Sequence, residues 1–167
     1  MSAARQDPRH RAREAALQVL YHWEIGRTDV ATAADTFFDL QWADPAGAPV
    51  ELRRCATELA HDTVRQLPEV DALIAATSDR WRPERMAVLD RLILRLAVAE
   101  LLRSAEAHPV VGGERGTATP PVVIINEALE LARTFSTEDA VKFINGLLDA
   151  IRRQLASRAS GQTGPAA

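Results

Sequence analysis

Apolar side chains recur along most of this chain at steps of three and four residues, which is the period of an α-helix. Stretches rich in Pro and Gly separate the periodic segments. No alternation of apolar and polar residues persists beyond a few positions, so the fold class is predicted to be all-α. The pattern predicts about seven helices, at about residues 8–25, 30–41, 50–67, 69–79, 83–105, 121–134 and 137–157.

The fifth predicted helix differs from the others because it is nearly apolar from Leu92 to Leu102. A helix that is apolar around most of its girth is surrounded by other helices, so we expect it to be central. The link that follows, 108–121, is rich in Gly and Pro and long for a connection between helices. The chain is therefore expected to contain a flexible basic arm at 1–8, a single helical domain at 9–155 and a disordered tail at 156–167.

The seventh predicted helix contains Asn145-Gly146, a pair that is typical of tight hairpin turns. The apolar residues around the pair nevertheless keep the helical period, which favours a helix. A glycine inside a helix costs about 1 kcal/mol, so we expect Gly146 to let the backbone of another helix come close. Ser136 is the predicted N-cap, with Asp139 at the third helical position as in a capping box.

Composition and charge limit the classes of protein that fit. The net charge is −3, so the chain as a whole is not a basic nucleic-acid binder. The one cysteine, Cys55, lies on an apolar helical stripe, which predicts a buried structural thiol. No apolar run approaches the roughly 20 residues that span a membrane, and the N-terminus lacks the apolar region of a signal peptide. We expect a cytoplasmic protein that does not bind membranes.

The sequence lacks the patterns of catalytic and metal sites. Its four histidines, His10, His22, His61 and His108, are scattered, and none is paired with another ligand at a metal-binding spacing. It contains no phosphate-binding glycine loop and no nucleophile elbow. We therefore predict no enzyme activity, no metal and no cofactor.

Cations are concentrated at the start of the first predicted helix. Four arginines and one histidine fall within nine residues: Arg5, Arg9, His10, Arg11 and Arg13. Arginine binds phosphate oxygens bidentately and stacks on bases. Cations at a helix N-terminus oppose the helix dipole, so helix stability does not explain them. Two interpretations stay open, a salt-dependent contact with a nucleic-acid backbone and a solvated N-terminal arm.

Side chains that suit single-stranded RNA occur in two further places. Tyr21 follows the basic turn on the same helix, and Phe143 and Asn145 follow Lys142, the only lysine of the chain. Aromatic faces stack on bases, and amide groups donate hydrogen bonds to base edges. Taken singly, each aromatic residue fits a place in the core at least as well, and Asn145 fits either an inward bond or RNA.

Three blocks of this sequence resemble the NusB family of transcription antitermination factors. RHRAREAALQVLYHWE is similar to the arginine-rich first helix of the family, and LDRLILRLAVAEL is similar to its central fifth helix. The most specific block, VVIINEALELARTFSTEDAVKFINGLLDAI, resembles the last two helices. The resemblance covers residues 9–155 apart from the loop, and it implies two packed helical bundles.

The resemblance implies a role without catalysis, the binding of boxA RNA in nascent transcripts together with NusE, a ribosomal protein of the small subunit. Through other Nus factors, the assembly would join elongating RNA polymerase and support ribosomal RNA transcription. The resulting candidates for RNA contact are Arg9, His10, Arg11, Arg13, Tyr21, Lys142, Phe143 and Asn145. The candidates for partner contact are Asp90, Arg91 and Asp139.

Some positions depart from the family pattern. His10 stands where the family often has another arginine, which predicts a weaker and pH-sensitive contact with phosphate. Ala140 replaces a polar residue, and the 108–121 loop is longer than usual. Two other functions stay open, a helical protein-interaction module and an RNA-targeting domain of the kind attached to ribosomal RNA methyltransferases. The sequence also allows a homodimer that covers the basic face.

Overall fold

The computed structural model describes residues 7–42, 44–79, 81–106 and 119–161. These residues form seven α-helices and one short 3-10 turn, Pro83–Arg85, without a strand. The all-α prediction is therefore confirmed, and each predicted helix corresponds to an observed one. The helices are α1 Pro8–Gly26, α2 Val30–Gln41, α3 Val50–Arg65, α4 Leu67–Thr77, α5 Val88–Glu106, α6 Pro121–Phe135 and α7 Glu138–Gly161.

The helices form two bundles that share one core. The first consists of α1, α2 and α3, which pack against one another. The second consists of α4 to α7, and α5 lies at its centre and also contacts α1 and α3. Every side chain of α5 from Leu92 to Ala99 is buried, because neighbours cover it on all sides. The predicted central helix and the two packed bundles are both confirmed.

The one charged residue in that buried stretch is satisfied by a carboxylate. Arg95 is 8% exposed, and its Nε and Nη2 each donate to a different oxygen of Asp71 on α4 at 2.9 Å. This bidentate geometry is the strong form of the arginine–carboxylate pair. It fixes α4 against α5 and removes the cost of a buried, unpaired charge.

Several predicted helix ends shift in the structure. Gly26, expected just beyond the end of α1, is its last helical residue, and Arg27 takes the left-handed conformation with φ 49°. The fifth helix does not start at Pro83, because Met86 is extended after the 3-10 turn and α5 begins only at Val88. At the other end of the chain, α7 continues to Gly161, so residues 156–161 of the predicted disordered tail are helical.

The predicted cap of α7 is wrong by one residue. Thr137 is the capping residue, since its Oγ1 accepts from the backbone N–H of Ala140 at 3.2 Å. Ser136 instead donates its hydroxyl hydrogen bond to the carboxylate of Asp90 on α5. Asp139 is therefore the second residue of α7, where its charge suits the positive end of the helix dipole.

The predicted packing role of Gly146 is also wrong. Gly146 is exposed, and a Cβ added to it would meet no neighbouring atom within 4 Å. No helix of the described chain approaches its backbone, so its cost to helix stability has no explanation inside the molecule.

Three predicted segments lie partly outside the described residues, namely positions 1–6 of the arm 1–8, 108–118 of the loop 108–121 and 162–167 of the tail 156–167. Cys55 is half-buried on α3, rather than fully buried as predicted.

Candidate nucleic-acid interface

Local sequence sets the position of the basic turn, which is the start of α1 that carries Arg9, His10, Arg11 and Arg13. Asp7 is the N-cap of α1, and its carboxylate accepts from the backbone N–H of Arg9 at 2.9 Å. Pro8 occupies the first helical position, where its missing N–H costs nothing. The cations that follow are thus held on the first two turns of a regular helix, and their burial depends on which side of α1 each one occupies.

His10 lies on the buried side of this turn. It is 4% exposed, and its Nδ1 is 2.6 Å from Oε2 of Glu127 on α6. Its Nε2 is 3.8 Å from a carboxylate oxygen of Glu14, one turn further along α1. With one carboxylate near each ring nitrogen, His10 joins α1 to α6.

Arg13 is buried as well. It is 5% exposed, and its Nε and Nη2 donate to the two carboxylate oxygens of Glu100 on α5 at 2.9 and 2.8 Å. Burial lowers the pKa of the Arg13 guanidinium. The hydrogen bonds and the charge of Glu100 raise it and outweigh the effect of burial, so that the pKa lies above its ordinary value. Arg13 is therefore a charged interior link between α1 and α5.

Arg9 and Arg11 differ from these two residues. Both side chains are exposed, and no carboxylate of the described residues lies within the 4.0 Å of an ion pair to either one. Their charges are left in water at the positive end of a helix, where they are locally unfavourable. Of the four candidates for RNA contact at this turn, Arg9 and Arg11 are thus open to solvent, whereas His10 and Arg13 are buried and paired inside the molecule.

Tyr21 extends the exposed side of α1. It is 41% exposed and meets His22 edge to face, with 6.4 Å between the ring centroids. Arg11, Gln18 and Tyr21 follow one another at steps of seven and three residues, which keeps them along one side of the helix. An exposed cation, a carboxamide and an aromatic ring therefore share a single ridge.

The candidates on α7 are mostly exposed. Asp139, Lys142 and Asn145 all face solvent, and no carboxylate of the described chain lies at ion-pair distance from Lys142. Phe143 is half-buried and packs against the hydrophobic core. Both α7 and α1 pack against α6, so the two groups of candidates flank the same helix.

Asp90 and Arg91, at the start of α5, are engaged inside the molecule. Asp90 accepts the hydroxyl hydrogen bond of Ser136. Arg91 donates to Glu24 of α1 at 2.6 Å and to the carbonyl of Pro83 at 2.5 Å. Both are half-buried, so they shape the corner between α1, α5 and α7.

A cleft of about 520 Å³ adjoins the basic turn and was not predicted from the sequence. Its walls come from α1, from the end of α2, from α3 and from the end of α6. Gln18, Gln41, Trp42 and Leu52 line it beside Arg11. The neighbouring aromatics Phe37, Phe38 and Trp42 were a signal of a cluster, but the sequence did not show that the cluster opens next to Arg11.

Other kinds of site are not found in the part of the chain that the structure describes. No group of three or more histidine, cysteine or acidic side chains is arranged to hold a metal ion there. None of the described helices combines the length and the apolar character that crossing a bilayer requires.

These features define a class, an all-α protein of two bundles whose first helix begins with exposed arginines that have no carboxylate partner among the described residues. Comparison of the sequence with known families makes the class specific. The NusB family model matches residues 10–112 and 115–153, and the chain belongs to this family. The resemblance stated from the three sequence blocks is thereby confirmed.

Individual relatives agree with the family assignment. The transcription antitermination protein NusB of Solibacter usitatus is 42% identical over 149 residues, which cover 88% of this chain and 90% of that protein. The solved structure of T. maritima NusB is 29% identical and superposes with a TM-score of 0.70 over 89% of this chain and 92% of that one.

A third comparison concerns the fold alone. A crystal structure of the antitermination factors NusB and NusE in complex with double-stranded RNA contains a chain that is 24% identical to this one. The TM-score is 0.68, with coverage of 88% of this chain and 97% of the other. The two-bundle architecture is therefore shared with a protein that has been crystallised with a partner and RNA.

Proposed function

We propose that this protein is a non-enzymatic transcription antitermination factor that binds boxA-type RNA together with NusE. In the cytoplasm it would join the elongating RNA polymerase through other Nus factors and support ribosomal RNA transcription. The observation that carries the RNA-binding part is the pair of exposed arginines, Arg9 and Arg11, that have no carboxylate partner in the described structure. Family membership supports the rest.

The two arginines suit phosphate better than any internal role. Structural arginines in this chain are paired with carboxylates, as Arg13 is with Glu100 and Arg95 is with Asp71. The two exposed guanidinium groups can each donate a bidentate pair of hydrogen bonds to the oxygens of one phosphate. The nearby ring of Tyr21 offers a face on which an unstacked base can lie.

The start of α7 is the proposed contact for NusE or for RNA that runs between the two proteins. Asp139, Lys142 and Asn145 are exposed there, and the bare backbone at Gly146 would allow a partner to come close. The ring of Phe143 is only partly buried, so one part of it stays available to a base or a partner side chain. Asp90 and Arg91 would support this contact indirectly, because their hydrogen bonds to Ser136 and Glu24 fix the corner on which α7 begins.

Salt dependence of RNA binding tests this proposal. Binding of a boxA-type RNA is measured by fluorescence anisotropy with and without NusE, in wild type and in the double variant Arg9→Ala, Arg11→Ala. We expect NusE to strengthen binding of the wild type. The double variant should bind more weakly, and the slope of log affinity against log salt should fall by about 1.4, because each lost contact with single-stranded RNA contributes about 0.7.

A matched control removes two exposed arginines elsewhere. Arg54 and Arg65 lie on α3 and are paired with acidic neighbours. Because two arginines are removed in each case, the double alanine variant Arg54→Ala, Arg65→Ala has the same net charge as the test variant. Its salt slope should equal that of the wild type. Equal slopes in all three proteins would overturn the phosphate contact. Wild-type protein that binds NusE but no RNA would support the alternative of a protein-interaction module.

A further inference from the structure

The cleft beside the basic turn has a chemical character that differs from a phosphate site. Of its two basic lining residues, His10 is engaged by Glu127 and Glu14, which leaves Arg11 at the rim as the cation without a carboxylate partner in the described chain. The remaining walls combine apolar groups with four polar residues, namely Thr134, the carboxamides Gln18 and Gln41, and Glu14, which faces His10. Such a lining suits a flat, uncharged group that carries hydrogen-bonding edges.

Trp42 provides the flat wall of this cleft. It is half-buried at the end of α2, where its ring packs against Phe38 with 5.4 Å between centroids and against Phe37 with 6.2 Å. Its backbone N–H donates to the carbonyl of Phe38 at 3.1 Å. The indole is thus held by the core on one part of its surface, while another part lines the cleft, which is the arrangement of a rigid stacking platform.

The carboxamides complete the arrangement. Gln41 is exposed and precedes Trp42 directly, and Gln18 lies on the α1 ridge between Arg11 and Tyr21. Each carboxamide offers both donors and an acceptor, as the edge of a nucleobase requires. The volume of about 520 Å³ lies within the range of small-molecule sites, roughly 300–1,000 Å³.

We propose that this cleft receives one unstacked nucleobase of a single-stranded RNA whose phosphate is held by Arg11. The inference deepens the proposed function and rests on it. Trp42 stacks on the base, Gln18 and Gln41 bond its edge, and Arg11 at the rim places the adjoining phosphate. RNA recognition commonly works in this way, with a base splayed out onto an aromatic ring and read along its edge.

Tryptophan fluorescence gives the first test. The chain has three tryptophans, of which Trp81 is buried and Trp23 is half-buried against the core. A mixed-sequence 12-nucleotide single-stranded RNA is titrated in the presence of saturating NusE into wild type, Trp23→Phe and Trp42→Phe. We expect quenching in the wild type and in Trp23→Phe, and its loss in Trp42→Phe. Quenching that survives in Trp42→Phe would overturn the proposal.

Affinity gives the second test. Trp42→Ala should weaken binding roughly 5- to 150-fold, the range that corresponds to the loss of one stacked base. Gln41→Ala, which leaves the core intact because Gln41 is exposed, should weaken it several-fold. Leu40→Ala is the matched control, since Leu40 is 69% exposed and does not line the cleft. Normal affinity in Gln41→Ala and Trp42→Ala would overturn the cleft, whatever the Arg9 and Arg11 variant shows.

A scan of the RNA removes one base at a time. Each 12-nucleotide strand carries a single abasic ribose. At one position the missing base should weaken binding to the wild type. The same strand should bind Trp42→Ala no more weakly than the intact RNA does, because that variant has already lost the contact. The absence of such a position overturns the proposal. Free nucleoside monophosphates form a separate arm. If they quench Trp42 fully while the RNA does not, the cleft is a site for free nucleotides and the proposal fails.

Discussion

The start of α1 and the start of α7 carry similar side chains and present them differently. On α1 the candidates alternate, with Arg9 and Arg11 exposed and with His10 and Arg13 buried against carboxylates. On α7 the charged and polar candidates are exposed, while the aromatic Phe143 is turned partly into the core. The type of a residue therefore does not determine whether its side chain is available to a ligand. Its availability depends on which helix packs against it.

The largest effect is expected from breaking a buried pair on α1. Arg13→Ala leaves the carboxylate of Glu100 buried without its partner, which should lower the free energy of unfolding by roughly 3–5 kcal/mol. Urea denaturation measures the change. If Arg13→Ala unfolds like the wild type but loses RNA affinity, Arg13 belongs with the exposed cations and the contrast within α1 fails.

The next effect concerns the aromatic residue on α7. Full burial of a phenylalanine would cost roughly 3–5 kcal/mol on truncation to alanine, and Phe143 is only half-buried. We expect Phe143→Ala to lower the free energy of unfolding by about 2 kcal/mol, because only part of the ring is buried. If the exposed part of the ring stacks on a base, the same variant should also bind RNA more weakly in the presence of NusE. Unchanged stability in urea would show that Phe143 contributes nothing to the core.

A smaller effect, with the opposite sign, is expected at Gly146. Since a Cβ at this position meets no atom within 4 Å, Gly146→Ala should raise the free energy of unfolding by about 1 kcal/mol, the difference in helix propensity. Gly47→Ala is the contrasting control, because Gly47 has φ 68° and alanine there should destabilise by roughly 1–2 kcal/mol. A lower melting temperature for Gly146→Ala would contradict an open site.

The same variant sharpens the comparison when a partner is present. If NusE brings its backbone close to Gly146, the added methyl should weaken the complex while the isolated protein gains stability. Isothermal titration of NusE into wild type and Gly146→Ala measures this difference. Equal affinities would mean that the glycine serves neither packing nor this partner.

The smallest change in stability is expected for the exposed cations of both regions. Arg11→Ala and Lys142→Ala should each alter the free energy of unfolding by less than about 0.5 kcal/mol, as is usual for surface substitutions. Their effects should appear instead in binding to RNA or NusE. A loss of several kcal/mol in either variant would reveal an internal contact and remove the distinction from Arg13.

Much of the architecture followed from local features of the chain. The apolar period located all seven helices to within a few residues, apart from the start of α5, because the pattern that forms a helix is contained in the helix itself. The cap of α2 is equally local, since the carboxylate of Asp29 accepts from the backbone N–H of Thr32, three residues further along the chain, at 2.9 Å. That bond is also the main reason why the pKa of Asp29 lies below its ordinary value.

The availability of the candidate residues was different, because it depends on groups that are far away in the chain. Arg13 meets Glu100 across 87 positions, and His10 meets Glu127 across 117. The cleft needs four helices to come together around Trp42. Helical periodicity and motif spacing describe each segment, but they carry no information about which carboxylate or ring another helix will bring. The free charge of Arg9 and Arg11, the buried charge of Arg13 and the open side of Gly146 were therefore set by the packing of the two bundles.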